Sequence, residues 1–311
     1  MRQPLQFHQI ETFLNAHFPT GIRDLAPIGQ GDWSQAFSFQ QDGTALVARF
    51  GEYCEDYVKD RYASRFAQHT LPIPQVREIG QALDRYYCIS ERAYGAMLDG
   101  LDAEDMKKIV PAVLQLFDAL RTTDVSNTTG FGGWNAEGKG ASSSWREKLL
   151  GVDHEGDRVH GWHAAMAESP TGNGPYNEAL EYLKAHIPLC PEIRHLLHTD
   201  LLHFNVLVSN DRISAVVDWG NAQYGDFLYE LAGFTFYAPW YPAMNGIDWK
   251  AEGRRHFEEI GLDVSDFEAR LRCYEAHIGL DGMAYNAFTR NWKELADSAA
   301  RTLERIRKAT E

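Results

Sequence analysis

Apolar residues Leu5, Phe7, Ile10, Phe13, Leu14 and Phe18 fall mostly three or four positions apart. That spacing lays them along one side of a helix and predicts an amphipathic opening helix over residues 5–18. The period then drops to two. Residues 35–40 (QAFSFQ) and 44–50 (TALVARF) alternate around Gln41-Asp42-Gly43, the pattern of a hairpin. Residues 75–81 and 86–93 repeat it around Asp84-Arg85. Between the hairpins, residues 55–69 read as a helix that stops at Leu71-Pro72-Ile73-Pro74, because a residue before proline is pushed out of the helical region.

Beyond Gly95 the helical period takes over. Residues 103–122 predict a helix in which Pro111 marks a break or a new first turn. Residues 126–144, rich in Gly, Ser and Asn, read as a loop too long for a mere connector, either functional or a tolerated insertion. Helix returns at 145–152 and 175–187. Two apolar strands, 205–209 and 212–218, meet at Asn210-Asp211, and helices follow over 226–237, 250–260, 265–279 and 291–309. Sheet comes first and helices later, so the chain reads as α+β in two lobes, 1–94 and 95–311, joined near residues 90–95.

Composition narrows the function classes. The 311 residues carry 44 acids against 30 bases, a formal charge of -14, which argues against a nucleic-acid binder and suits a protein that attracts cations. No stretch approaches the ~20 apolar residues of a membrane helix. The opening MRQPLQFHQIETF has no signal-peptide core, so a cytoplasmic protein without a membrane partner is expected. Cys54, Cys88, Cys190 and Cys273 show no metal-ligand or C-x-x-C spacing and read as reduced thiols.

The densest chemistry lies in His198-Thr199-Asp200, with Asn205 five residues past the Asp and Asp218-Trp219-Gly220 at the end of the next strand. Kinase catalytic loops keep the spacing His-x-Asp, four residues, Asn, followed by Asp-Phe-Gly. Phosphoryl transfer needs a group that orients an incoming hydroxyl and accepts its proton, and a carboxylate on a rigid loop does both, which assigns Asp200. Mg²⁺ prefers hard oxygen ligands, which assigns Asn205 and Asp218. His198 is expected to brace the loop by hydrogen bonds. Upstream, Gly29, Gly31 and Ser34 lie in a turn between strands where backbone N–H groups can approach phosphates. Arg49 ends a strand as the cation for the α- and β-phosphates, with Asp60, or failing it Glu55, as the helix acid that orients it. Ser90, Glu91 and Ala93 sit where the lobes join, placed to meet an adenine edge through backbone groups.

With these residues in place the chain resembles the aminoglycoside phosphotransferases, and among them the hygromycin B phosphotransferases. The likeness runs from the opening helix to about residue 285 and includes KDRYASRFAQHTLPIPQVREIG, YCISERAYG, TTGFG, HTDLLHFNVLVSNDRISAVVDW and IGLD. It implies a bilobal protein-kinase-like fold, ATP (or GTP) as donor, Mg²⁺, and a cationic aminocyclitol acceptor bound by a monomer. It gives Asp200 the catalytic role, Asn205 and Asp218 the metal, accepts Arg49 where kinases carry Lys, and matches Asp226 and Glu230 to a structural acid pair; helix N-capping is the other reading of Asp226. Asn221 stands where an acid is expected, and residues 153–174 and those beyond 285 match poorly. Candidate acceptor contacts are Asp200, Asn221, Glu230 and Glu275, while Tyr237, Trp240, Tyr241 and Trp249 either face sugar rings or pack into the core. A kinase of another hydroxylated amine, sugar or macrolide, and a nucleotide-binding pseudokinase, stay open as alternatives.

Overall fold

The structure, a computed structural model, describes residues 3–31 and 33–307. The chain opens with α1 (Phe7–His17), then β1 (Arg23–Gln30), β2 (Ser34–Gln41), β3 (Thr44–Gly51), α2 (Cys54–Ala63), β4 (Val76–Ala82) and β5 (Arg85–Glu91). The five strands form one antiparallel sheet in the order β1-β2-β3-β5-β4. Ile10 and Leu14 of α1 are fully buried against Phe37, Phe39, Leu46 and Phe50. Burying each is worth ~1.5–3 kcal/mol, more than a helix this short gains from propensity, so α1 forms because of its apolar stripe. The opposite end of α2, with Tyr62 and Ala63, belongs instead to the large core of the second half.

That second half begins with β6 (Ala96–Met97), which pairs with the hairpin β10 (Val206–Ser209) and β11 (Arg212–Val216). A second small sheet runs β8 (Gly140–Ser142), β7 (Phe131–Trp134), β12 (Gln223–Gly225), β9 (His195–Leu197). Around them pack α3 (Ala103–Thr122), α4 (Trp145–Leu150), α5 (Trp162–Glu168), α6 (Gly174–His186), α7 (Leu228–Tyr237), α8 (Trp249–Glu259), α9 (Phe267–Phe288) and α10 (Trp292–Arg307). Among the described residues no helix is long and apolar enough to cross a membrane.

Three expectations change. Pro111 does not break α3, which runs unbroken from Asp102, whose carboxylate caps it by accepting from the Glu104 and Asp105 N–H groups at 2.9 Å. Pro111 and Lys107, whose carbonyl it cannot bond, are both exposed, where solvent can replace the missing bond. Residues 126–144 are not a plain loop. Their glycines allow close backbone packing: Gly130 has φ +73° and a Cβ there would lie 2.5 Å from the Gly140 carbonyl. Trp134 stacks on Tyr224 at 4.7 Å, joining this hairpin to the sheet of the catalytic half. Finally α9 continues past residue 279 to 288, because Gly279 lets Thr302 of α10 approach to where its own side chain would stand. The helix predicted over 291–309 is described to residue 307, and residues 308 and 309 lie outside the described residues.

Candidate active site

Residues 198–205 form a tight turn between β9 and β10, built on unusual backbone angles. Thr199, His203 and Phe204 have φ of 65°, 65° and 67°, and Asp218 on the facing turn has 60°. Each such residue costs ~1–3 kcal/mol and persists only where hydrogen bonds fix it. They do so here. His198 is fully buried, and its Nε2 donates to the Val217 carbonyl at 2.9 Å. That sets the tautomer, and Nδ1 accepts the Asp200 N–H at 3.3 Å. Burial holds the His198 imidazole below its ordinary range, so it stays neutral and braces the loop. Glu230 accepts the N–H groups of His198 and Thr199, the second at 2.9 Å. Phe204 N–H donates to Asp99 at 2.8 Å.

Asn205 donates its Nδ2 to the carbonyls of Asp200 (2.8 Å) and Leu202 (3.3 Å), so its Oδ1 is the atom that could meet a cation. Its own carbonyl accepts the Val217 N–H at 2.9 Å, so Asn205 and the residue before Asp218 are joined directly. An amide oxygen beside an exposed carboxylate is a donor set that suits a hard divalent ion. Asp200 is partly exposed. Its Oδ1 accepts from His203 Nδ1 at 2.8 Å and its Oδ2 from Asn221 Nδ2 at 3.2 Å. Burial lowers the His203 imidazole, but the Asp200 carboxylate more than offsets it and the net shift is upward.

Across the cleft, Arg49 on β3 forms a buried ion pair with Asp60 of α2. The other Asp60 oxygen accepts the Trp219 N–H at 2.7 Å. Burial pushes the Asp60 carboxyl up and the Arg49 guanidinium pulls it back, while Arg49 itself stays firmly protonated. One acid thus fixes the strand-end cation against the residue that follows Asp218. Glu55, the other candidate, faces solvent and pairs with Arg158 instead. Gly29 lies on β1, paired with Ala36, and Gly31 N–H bonds the Ser34 carbonyl at 2.9 Å. A Cβ at either glycine would meet nothing, so the turn leaves open space above the backbone. Asp32 lies outside the described residues. Ser90 is buried on β5, Glu91 ends it and pairs with Arg77, and Ala93 lies in the extended link to β6.

Several acceptor contacts named from sequence stand elsewhere. Glu275 is fully buried in α9, where it takes the Thr235 hydroxyl at 2.7 Å and Arg305 at 2.7 Å; it holds helices together and does not face the cleft. Glu230 is buried behind the loop and spends an oxygen on the loop backbone, so it acts on Asp200's support rather than on an acceptor. Asn221 is exposed at the cleft but engages Asp200 itself. Trp249 is core, packed on Phe234 at 4.8 Å, and Trp240 stacks on Phe236. Tyr237 and Tyr241 instead flank the His203 ring at 5.2 and 6.2 Å. Sequence reasoning missed Asp99, His203 and Asp281. Asp281 of α9 is exposed at its surface, and its carboxyl is raised by burial and by the Asp200 charge, with Lys148 countering. His203 lay inside the motif already singled out and Asp281 inside the IGLD run; Asp99 carries no spacing signal relative to either.

Comparison with known proteins identifies the family. The model of the phosphotransferase enzyme family matches residues 59–262. The hygromycin-B 4-O-kinase of Escherichia coli is 35% identical over 299 residues, covering 95% of this chain and 84% of that protein. A crystal structure of a thermostable mutant of aminoglycoside phosphotransferase APH(4)-Ia, in ternary complex with AMP-PNP and hygromycin B, superposes with a TM-score of 0.86 at 33% identity, over 97% of this chain and 99% of that one. The GDP complex of aminoglycoside 2'-phosphotransferase-IIIa shares the fold, with a TM-score of 0.68 at 14% identity over 98% and 100% of the two chains. This chain, an α+β molecule with a kinase-like catalytic loop, therefore belongs to the phosphotransferase enzyme family, in its aminoglycoside phosphotransferase branch.

Proposed function

We propose that this enzyme transfers the γ-phosphoryl group of ATP to a hydroxyl of hygromycin B, inactivating the antibiotic. The observation that carries the reading is the Asp200 loop: a partly exposed carboxylate on a backbone pinned by Glu230, His198, Asn205 and Asp99. Asp200 orients the acceptor hydroxyl and takes its proton as that oxygen bonds to the γ-phosphorus and the bond from that phosphorus to the bridging oxygen breaks, releasing ADP. Asn205 Oδ1 and the Asp218 carboxylate would hold Mg²⁺, which supplies charge neutralisation on the phosphates when bound. Arg49, held by Asp60, meets the phosphates; the Gly29–Ser34 turn and the Ser90–Ala93 link border the nucleotide. In this reading residues 1–94 grip the donor and residues 95–311 bring the chemistry and the acceptor, in a cytoplasmic monomer. Asp99, Asp200 and Asp281, within a chain of net charge -14, suit a polycationic acceptor.

The test is acceptor-dependent ADP release with Mg-ATP, and separately Mg-GTP, across hygromycin B, other aminoglycosides, a macrolide and choline. Release led by hygromycin B is expected, and Asp200→Asn should lower kcat by ~10²–10⁴ with nucleotide still bound. An unchanged rate in that variant would remove Asp200 from the chemistry. Asn221, where relatives of this type were expected to carry an acid, favours a second reading in which an aminocyclitol with fewer amines is the better acceptor. Release led by another aminoglycoside would select it.

A further inference from the structure

The segment between α4 and α6, within the poorly matching residues 153–174, sends one side chain across to the first turn of α2. Arg158 Nη1 donates to Asp56 Oδ1 and Oδ2 at 2.8 and 3.0 Å, and Nη2 donates to Glu55 Oε2 at 2.9 Å. The guanidinium lies 3.9 Å over the Tyr53 ring, and Tyr53 packs edge-on against Trp33 of the glycine-bearing turn at 5.7 Å. Arg158 and Asp56 are mostly buried, whereas the Glu55 side chain is 77% exposed, so Asp56 carries the weight of the contact.

Asp56 stands beside the turn that bears Asp218. A Cβ on Gly220 would lie 3.2 Å from Asp56 Oδ1 and 3.5 Å from Asp218 Oδ1, so the two carboxylates stand beside the same glycine. Arg158 neutralises one of them and leaves Asp218 uncommitted. One turn further along α2, Lys59 Nζ donates to the Gly220 carbonyl at 2.7 Å, and Asp60 joins Arg49 to Trp219 N–H. The helix is therefore tied to the 218–220 turn at its second turn and to the 153–161 segment at its first. Burial raises the Asp56 carboxyl, Arg158 lowers it and Asp218 raises it again, as expected for an acid that needs this particular counter-ion.

We infer that Arg158 is a positioning residue for the nucleotide site: through Asp56 it seats α2 so that the Arg49–Asp60 pair and Asp218 stand in register. The consequence is a link from a segment of the catalytic half to the donor site in the small sheet. The inference rests on the reading of Arg49 and Asp218 as donor-side groups and is independent of which acceptor is used.

The experiment measures Mg-ADP and Mg-AMP-PNP binding by calorimetry on full-length protein, with steady-state constants for the best acceptor alongside. Arg158→Ala is expected to weaken nucleotide binding about tenfold or more, since truncating one partner leaves the other charge buried and unpaired. KM for ATP should rise by a similar factor while KM for the acceptor moves less than about twofold. Arg158→Lys should recover part of the loss, because one ammonium replaces a two-edged fork. Adding Asp56→Asn to Arg158→Ala should recover most of it, which a general weakening of the fold does not predict. Nucleotide affinity unchanged in a folded Arg158→Ala protein overturns the inference and leaves the kinase reading intact, as does failure of Asp56→Asn to rescue. Wild-type protein that binds no nucleotide sinks the donor reading and this inference with it.

Discussion

The two most deeply buried Arg–Asp pairs among the described residues do different work. Arg270 and Asp226 lie in the helical core with 5% and 0% of their side chains exposed. Arg49 and Asp60 are nearly as buried, at 16% and 6%. What separates them is the rest of each carboxylate's contacts. Asp226 takes Arg270 Nε at 3.0 Å and Nη2 at 2.7–2.8 Å, the Tyr274 hydroxyl and the Leu228 N–H, so nothing is left for a ligand. Arg270 turns its remaining nitrogen to the Ser265 carbonyl at 2.9 Å. Asp60 divides its oxygens between Arg49 and the backbone beside Asp218. Among the described residues Arg49 hydrogen-bonds through Nη2 alone, to Asp60 and weakly to the Cys88 thiol, with its guanidinium 5.2 Å over the Tyr57 ring. Burial of an ion pair therefore says little about function. Spare donors and a second contact to a candidate metal residue say more.

The largest effect that can break this contrast is on the closed pair. Arg270→Ala leaves a fully buried carboxylate without its cation, and breaking a buried pair in this way costs about 3–5 kcal/mol. Urea unfolding should show that loss, while the folded fraction binds Mg-nucleotide with wild-type affinity. A stable Arg270→Ala protein with impaired nucleotide binding would reverse the roles assigned to the two pairs.

The contrast was partly legible in the chain. His198, Asp200, Asn205 and Asp218 are close in sequence, so their spacing alone carried the loop, and the structure places them together. Arg49 and Asp60 were legible because a strand end and the next helix are neighbours in the chain. Four of the five strands of the small sheet were legible from their period of two; β1, mostly exposed and without alternation, was not. Contacts made across long separations were not. Phe204 meets Asp99 across 105 residues and Arg158 meets Asp56 across 102, and no local pattern encodes either. Glu275 and Glu230 were taken for acceptor contacts because an acid in a helix gives no sign of which way it faces. The short strands β6, β7, β8, β9 and β12 escaped because runs of two to four residues are too brief to show a period.

Glu230 extends the comparison to a buried carboxylate with no cation of its own. Burial pushes its carboxyl up to about 7, the Thr199 and His198 N–H groups pull it down, and the Asp200 charge adds to the rise. The folded state therefore holds this proton more tightly than the unfolded chain does. The associated stability is fully present below the ordinary carboxylate range and is lost as pH rises through about 7. Over that window the loss is of order 3 kcal/mol. Glu230→Gln keeps the acceptor oxygen and removes the titration. Unfolding by urea at pH 5 and pH 8 should show the variant gaining on wild type at the higher pH. A constant difference between the two proteins would mean that the two N–H groups keep Glu230 ionised throughout.

The smallest effect sharpens the contrast most, because one substitution is made at both pairs. Arg49→Lys keeps the charge, and an ammonium can replace the single nitrogen that Arg49 gives to Asp60. Stability should fall by less than about 1 kcal/mol. The free edge of the guanidinium is what lysine lacks, so the cost should appear in the donor site as a rise of about three- to tenfold in KM for ATP, roughly 1 kcal/mol of binding. Arg270→Lys should behave in the opposite way. Three nitrogens of Arg270 are engaged, and one ammonium cannot reach Asp226 and the Ser265 carbonyl together. Its cost should appear as about 1–3 kcal/mol of stability with KM for ATP unchanged. Equal shifts of both quantities in both variants would mean that the nucleotide does not use the edge of Arg49 that Asp60 leaves free.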